Sequence, residues 1–190
     1  MDDDIIELDV QELLNGVDLE GARRAQRAPE ERIMKTEMNA VRVFISYSHK
    51  DENLRNELQT HLKLLQRQGI LSAWDDRQIE AGDEWKRKID DNLERAGLIL
   101  LLVSADFIAS DYCYEIEMKR ALERHNNNEA RVIPVIVRDV SWRKAPLDKL
   151  QPLPKEGKAV AKWPNKDSAW RNVAEGIEKV AEQLRKKSWQ

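Results

Sequence analysis

Short apolar runs alternate along this chain with stretches in which apolar residues recur every three or four positions. The runs are typical of strands, and they cover residues 41–45, 70–74, 98–103, 132–137 and, as the place expected for a last strand, 157–163. The stripes with helical spacing lie between them, at residues 54–65, 85–96, 114–125 and 170–184. The run at 98–103 is apolar at every position, which predicts a strand covered on both faces. Pro134 lies inside the fourth run and lacks a backbone N–H, so a bulge or local break is expected there.

Regular alternation of strands and helices predicts an α/β fold in which a parallel sheet carries helices on both faces. About five strands favour a doubly wound, flavodoxin-like sheet of strand order 2-1-3-4-5. Ligands bind such sheets outside the carboxyl ends of the strands, where the strand order reverses. Here that point lies between the first and third strands, next to residues 46–48 and 104–106. The helix that carries Glu115 and Glu117 starts at the same corner.

The first forty residues have a different pattern. Residues 1–20 carry eight acidic side chains and no basic one, and Gly16 and Gly21 interrupt a weak helical stripe. We predict that residues 1–40 form an N-terminal extension, either docked weakly or bound to a partner, or else a solvated arm. The globular domain is expected over residues 41–187.

Composition and charge exclude several classes of protein. The chain has 190 residues, and its 32 basic and 35 acidic side chains leave a net charge of −3, which argues against a protein that binds nucleic acid directly. The longest apolar run, residues 98–103, is far too short for a membrane span. Cys113 is the only cysteine, so a reducing compartment and a cytoplasmic location are expected. The sequence holds no glycine-rich phosphate-binding loop. It also has no histidines and cysteines at ligand spacing, so we expect no metal site.

Four segments in the right order resemble the Toll/interleukin-1 receptor (TIR) domain, in the style of its bacterial members. FISYSHKD at residues 44–51 resembles the opening box of that family. WDDR at 74–77 and AGDEW at 81–85 are similar to its loop after the second strand, the BB loop. LLVSADF at 101–107 and SDYCYEIE at 110–117 resemble its third strand and the following helix. The resemblance covers roughly residues 41–185, within the predicted globular domain.

The resemblance implies two classes of function. Some members of the family are scaffolds that only self-associate. Others, many of them bacterial, cleave NAD⁺ at the nicotinamide–ribose bond with one glutamate from the helix after the third strand. This implies an NAD⁺ nucleosidase, a hydrolase or a cyclase, in bacterial defence or signalling, with NAD⁺ as substrate rather than cofactor. The alternative is a non-catalytic adaptor that acts through homotypic TIR–TIR association.

The family pattern implies that Glu117 is the catalytic residue. In that pattern the glutamate follows an aromatic or cysteine position by four residues and precedes a small apolar position by four, and Glu117 has Cys113 and Ala121 at these places. Many members carry an aromatic residue four positions before the glutamate, whereas Tyr112 stands five before Glu117. This departure keeps Glu115 as a competing assignment.

Apart from the family, both glutamates fit an ordinary solvated helix surface, with Glu117 paired to Arg120 or Arg124. Ser48 has an alternative role as a helix cap, and Asp76 an alternative role as a turn former. The residues expected to contact substrate are Ser46, Tyr47, Ser48, Asp76, Tyr112 and Cys113.

The loop at residues 76–84 is longer than a minimal strand–helix connection and mostly polar. In the family this loop reaches into a neighbouring TIR domain and moves over the substrate cleft. The resemblance therefore implies that assembly with other TIR domains activates the enzyme. The residues expected to act in this assembly loop are Arg77, Ile79, Gly82 and Trp85. Trp85 also starts a helical stripe, so packing in the core is its alternative role.

Overall fold

The computed structural model describes residues 39–73 and 91–187, and the fold reported below is that of these residues. Its strands are β1 (Val41–Ser46), β2 (Leu71–Ala73), β3 (Leu98–Val103) and β4 (Arg131–Ile136). All neighbouring strands pair in parallel, in the order β2-β1-β3-β4. The predicted doubly wound parallel arrangement is therefore confirmed for these four strands, with its reversal point between β1 and β3.

The described helices are α1 (Glu52–Arg67), α2 (Ala105–Ala109), α3 (Lys119–Asn126) and α4 (Lys166–Lys187). A short 3₁₀ turn, His49–Asp51, precedes α1, and a π-helical segment, Tyr112–Met118, runs directly into α3. Residues 91–95 are also helical. No helix among the described residues has both the length and the apolar character that crossing a membrane requires.

Two apolar layers hold these elements together, one on each face of the sheet. On one face α1 and α4 pack through Leu58, Leu62, Trp170 and Ile177 against alternate residues of the strands. On the other face α2, the π-helical segment, α3 and the helical residues 91–95 cover the remaining strand positions. β3 is buried at every position because it lies between both layers and between two strands, as the run of apolar residues predicts.

The prediction of a last strand within residues 157–163 is wrong. This stretch contains the end of one 3₁₀ turn, Lys155–Gly157, and a second turn, Val160–Lys162. Gly157 has a φ angle of 67°, which lies in the left-handed region and is incompatible with an extended strand.

A single residue pairs with β4 in place of that strand. Leu153 forms an isolated parallel bridge with Val135, and its backbone N–H donates to the Pro134 carbonyl at 2.8 Å. Pro152 and Pro154 flank Leu153. Each proline ring fixes its own φ angle, so the backbone is restricted on both sides of this one bridging residue.

The prediction of a bulge or break at Pro134 is also wrong, because β4 continues past Pro134 in unbroken register with β3. The N–H groups of alternate residues point away from β3, and position 134 is one of these outward positions. The Val132 N–H donates outward to His125 Nδ1 at 3.2 Å, and the Ile136 N–H donates to the Leu153 carbonyl at 2.8 Å. Pro134 thus lacks a donor only on the side where no ladder bond to β3 is needed.

The predicted boundary of the N-terminal extension stays a prediction, because residues 1–38 lie outside the described part of the chain.

Candidate functional site

The strand order reverses where β1 and β3 end, and two polar side chains meet at that edge of the sheet. Ser46, the last residue of β1, is 1% exposed, and Glu117 in the π-helical segment is 5% exposed. The Ser46 hydroxyl donates a hydrogen bond to Glu117 Oε2 at 2.5 Å. The structure therefore places a buried carboxylate at the position where a sheet of this topology binds ligands.

The helix that carries Glu117 is wider than an α-helix at this point. In an α-helix, residues five positions apart are rotated by about 140° around the axis. A π-helix instead closes its hydrogen bonds between residues i and i+5, so that such residues come toward one side. Tyr112 and Glu117 are the two residues in question, both within the π-helical segment. The unusual spacing of this pair in the sequence is thus compatible with an aromatic side chain beside Glu117.

The competing residue Glu115 lies in a different environment from Glu117. Its side chain is 50% exposed and forms an ion pair with Lys119 one turn further along the helix. This is an ordinary surface contact of the kind that stabilises helices slightly. Of the two glutamates, Glu117 is therefore the one that faces the edge of the sheet.

The two arginines considered as surface partners of Glu117 bind elsewhere. Arg120 donates from Nε to Glu94 Oε1 at 2.5 Å and from its second terminal nitrogen to Glu94 Oε2 at 2.8 Å. Arg124 is buried, and its guanidinium donates to the Ala96 carbonyl at 2.9 Å, at the end of the helical residues 91–95. These contacts hold neighbouring helices together.

Cys113 belongs to the π-helical segment and packs against the loop after β1. It is 5% exposed, and its Sγ lies 3.5 Å from the backbone carbonyl of Tyr47. Burial raises the pKa of the Cys113 thiol to about 11, and the nearby charges of Glu117 and Asp51 also raise it, while a hydrogen bond with Ser110 acts in the opposite direction. The thiol is protonated at neutral pH, so it lines the site as a neutral group rather than acting as a nucleophile.

Tyr47 and Ser48, the two residues directly after β1, differ in their burial and contacts. The Tyr47 ring packs against the α1–α4 layer. There, the Arg55 guanidinium lies 4.9 Å from the ring centroid and donates to the phenol oxygen at 2.9 Å. Ser48 is buried, and its hydroxyl makes no capping hydrogen bond to the turn that follows it, so the capping role expected as its alternative is wrong.

A second buried carboxylate, Asp51, was not predicted as part of the site. Asp51 is 1% exposed. Its Oδ1 accepts from Arg138 Nε at 2.8 Å, and its Oδ2 accepts from the Ser104 hydroxyl at 2.5 Å. Arg138 also forms an ion pair with Asp106, which in turn contacts Lys50 at 2.9 Å.

This cluster, which we call the Asp51 cluster (Lys50, Asp51, Ser104, Asp106 and Arg138), joins the loops that follow β1, β3 and β4. Arg138, with Lys50, holds the pKa of Asp106 below its ordinary value. The signal in the sequence was available: a basic residue directly follows the apolar run 132–137 and therefore comes to the same sheet edge as Asp51.

Five predicted residues lie outside the described part of the chain. They are the substrate-contact candidate Asp76 and the assembly-loop residues Arg77, Ile79, Gly82 and Trp85.

Comparison with known proteins agrees with this architecture. The sequence profile of the TIR domain family matches residues 43–167, so the chain belongs to that family. It is 52% identical over 139 residues to the protein y4lF of the bacterium Sinorhizobium fredii (strain NBRC 101917 / NGR234), which is described as uncharacterized. That match covers 73% of this chain and 43% of the relative, so the chain spans less than half of the relative's length.

A search of solved structures finds the TIR domain of the Toll-related receptor TRR-2 from Hydra magnipapillata. The match has a TM-score of 0.49 and 20% identity, and it covers 71% of this chain and 96% of that one.

Proposed function

We propose that this TIR domain cleaves NAD⁺ at the nicotinamide–ribose bond and that Glu117 is its catalytic residue. The observation that supports the proposal best is the position of the Glu117 carboxylate. It is buried at the carboxyl edge of the sheet, at the reversal point between β1 and β3, and it accepts a hydrogen bond from Ser46.

One carboxylate is enough for this reaction. Glycosidases use two carboxyl groups because one must protonate a poor oxygen leaving group. Nicotinamide instead departs from a pyridinium cation: the C–N bond breaks, its electron pair goes to the ring nitrogen, and the product is neutral. The ribose then carries an oxocarbenium-like positive charge. A fixed carboxylate in a site that excludes water stabilises that charge in the transition state.

Two products are compatible with the same intermediate. When water attacks the ribose and loses a proton, the product is ADP-ribose. When a nitrogen of the substrate's own adenine attacks and a proton is lost, the product is a cyclic ADP-ribose, which contains one water less. Neither route requires a thiolate, which agrees with the neutral thiol of Cys113 beside Glu117. We place Tyr112 next to the nicotinamide ring, where an aromatic side chain can stack on it.

The resemblance of the loop at 76–84 to the BB loop supports activation by assembly. A loop that closes over the site only when it contacts a neighbouring domain would leave a single domain poorly active and a cluster active. We therefore expect turnover per molecule to rise with protein concentration. Ile79→Asp, which puts a charge on the loop's sizeable apolar residue, should abolish that rise.

The test is to incubate the full chain with NAD⁺ across a wide dilution series and to resolve the products by chromatography, with light scattering alongside. We expect release of nicotinamide together with ADP-ribose or a cyclic ADP-ribose. Glu117→Gln should lower turnover at least ~10²-fold, since it keeps the shape and removes the charge. Glu115→Gln is the matched control, and its turnover should stay near that of the unmodified chain.

Four outcomes would contradict parts of this proposal. If both variants keep the activity of the unmodified chain, the single-carboxylate mechanism is excluded. If only Glu115→Gln loses activity, Glu115 is the catalytic residue instead. A protein that assembles at high concentration and leaves NAD⁺ intact would be the non-catalytic adaptor. Turnover per molecule that is independent of concentration would remove assembly from the mechanism.

A further inference from the structure

We propose that Ser46 is a positioning residue, which acts through Glu117 instead of contacting the substrate. This inference rests on the proposed NAD⁺ cleavage and changes the role of Ser46 within it. The sequence alone predicts that Ser46 binds substrate, because it lies at the carboxyl end of the first strand. The structure instead shows its hydroxyl directed at the Glu117 carboxylate.

The backbone of Ser46 is held by the sheet. Ser46 pairs with Leu101 of β3 in the parallel register. Its side chain therefore starts from an atom that the sheet holds rigidly, and a serine has only one torsion angle to set before its hydroxyl is placed. Groups supported by strands hold a site more accurately than groups on loops do.

Glu117 needs such support more than most helical residues do. It belongs to a π-helical segment, in which the regular α-helical bonding pattern is interrupted. A glutamate side chain also has three rotatable bonds, so a carboxylate at its end can occupy many positions. The hydrogen bond of 2.5 Å between Ser46 and Glu117 fixes one oxygen of that carboxylate against the sheet.

The burial of Ser46 also separates it from a substrate role. Its exposed fraction is 1%, and a hydroxyl has one proton to donate, which goes to Glu117. A residue that binds substrate affects KM, whereas a residue that only orients the catalytic carboxylate affects the transition state and hence kcat. The two roles are therefore distinguishable by experiment.

The experiment is a double-mutant cycle on NAD⁺ cleavage by the full chain, with Ser46→Ala, Glu117→Gln and the combination. We expect Ser46→Ala to lower kcat roughly 10-fold while KM stays within about twofold. In the Glu117→Gln background the same Ser46→Ala change should cost less than about twofold, because the group through which it acts is already neutral. Ser46→Thr, which keeps the hydroxyl and suits a strand, should restore most of kcat.

Ser72→Ala is the matched control, because Ser72 is an exposed serine on the neighbouring strand β2. It should change neither kcat nor KM. Thermal unfolding of each variant shows whether it is folded, and kinetic constants are compared at concentrations corrected for the folded fraction.

The outcomes separate this inference from the function on which it rests. A raised KM with unchanged kcat in Ser46→Ala would return Ser46 to substrate binding and overturn the inference. Losses that multiply fully in the double variant would do the same, since they would show that Ser46 acts independently of Glu117. Unchanged kinetics in a folded Ser46→Ala variant would also overturn the inference, because the contact between Ser46 and Glu117 would then have no effect on catalysis. If the unmodified chain leaves NAD⁺ intact, the proposed function fails first and this inference fails with it.

Discussion

Two carboxylates are buried at the same edge of this sheet, and they are held in different ways. Asp51 accepts from Ser104 with one oxygen and from the Arg138 guanidinium with the other. Glu117 accepts from the neutral hydroxyl of Ser46. A guanidinium compensates the charge that it holds, whereas a hydroxyl fixes a carboxylate without cancelling its charge. Asp51 therefore ties loops together, whereas the role that we propose for Glu117 is to stabilise a cationic transition state.

The largest expected effect is a contrast between Glu117→Gln, which should lose activity and keep stability, and Asp51→Asn, which should lose stability. Glu117→Gln should abolish nearly all NAD⁺ turnover and change the free energy of unfolding by less than about 1 kcal/mol, because glutamine still accepts from Ser46. Asp51→Asn should lower the free energy of unfolding by about 2 kcal/mol, because a neutral amide no longer compensates the charge of the Arg138 guanidinium at this buried position. Urea denaturation and the turnover assay, run on both proteins, measure the two quantities. If Asp51→Asn is as stable as the unmodified chain, the contrast between the carboxylates disappears.

A smaller effect is expected from the cation of the Asp51 cluster. Arg138 reaches Asp51 and Asp106 with different nitrogens of one planar group, and a lysine offers only a single point charge. Because the Arg138 side chain is 37% exposed, solvent weakens these contacts, and we expect Arg138→Lys to cost about 1 kcal/mol of stability. Arg171→Lys, at a side chain that is 74% exposed, is the control and should cost nothing measurable. Equal stabilities of the two variants would contradict the role given to Arg138.

The smallest expected effect is on the pKa of the Cys113 thiol, which should change by different amounts when Glu117 or Asp51 is neutralised. Cys113 is the only cysteine of the chain, and burial, followed by the charges of Glu117 and then Asp51, raises its pKa to about 11. Glu117→Gln should therefore lower the pKa of this thiol more than Asp51→Asn does. The pKa of the thiol is measured from the pH dependence of the rate at which a small uncharged reagent alkylates it. A larger decrease in Asp51→Asn would show that the thiol senses Asp51 more strongly.

The raised pKa of the Cys113 thiol also makes the stability of the fold depend on pH. The thiol has an ordinary pKa of 9.0, so between pH 9 and about pH 11 the unfolded chain loses this proton while the folded chain keeps it. Stability should decrease over that interval and not below it. A Cys113→Ala variant should lack this part of the alkaline decrease in an unfolding series against pH.

The four described strands, their order and their reversal point could be predicted because each depends on local apolar pattern and on general rules of parallel sheets. The predicted last strand failed for a reason that pattern does not show. Residues 157–163 are apolar enough to suggest a strand, yet Gly157 takes a left-handed conformation and the pairing position goes to Leu153. Pro134 failed as a strand breaker because its effect depends on which side of the strand its missing donor faces.

The candidate site could be predicted in part. Topology and family resemblance together direct attention to Glu117, and the structure places it beside Ser46 at the expected edge. The π-helical segment could not be predicted, because the sequence around it has an ordinary helical stripe. The Asp51–Arg138 contact joins residues that are 87 positions apart, so only the folded sheet brings them together.

The outer side of β4 has a consequence for how this chain meets other chains. An exposed strand edge is a template on which another protein can add a strand, which leads to sheet growth and aggregation. Along β4 each outward N–H position is closed: His125 accepts from Val132, Pro134 has no N–H, and Leu153 accepts from Ile136. Burial and the charge of Arg131 lower the pKa of His125, so its imidazole keeps the lone pair that accepts this bond. A second chain therefore cannot continue the sheet at β4, and any self-association of this domain has to proceed through its other surfaces.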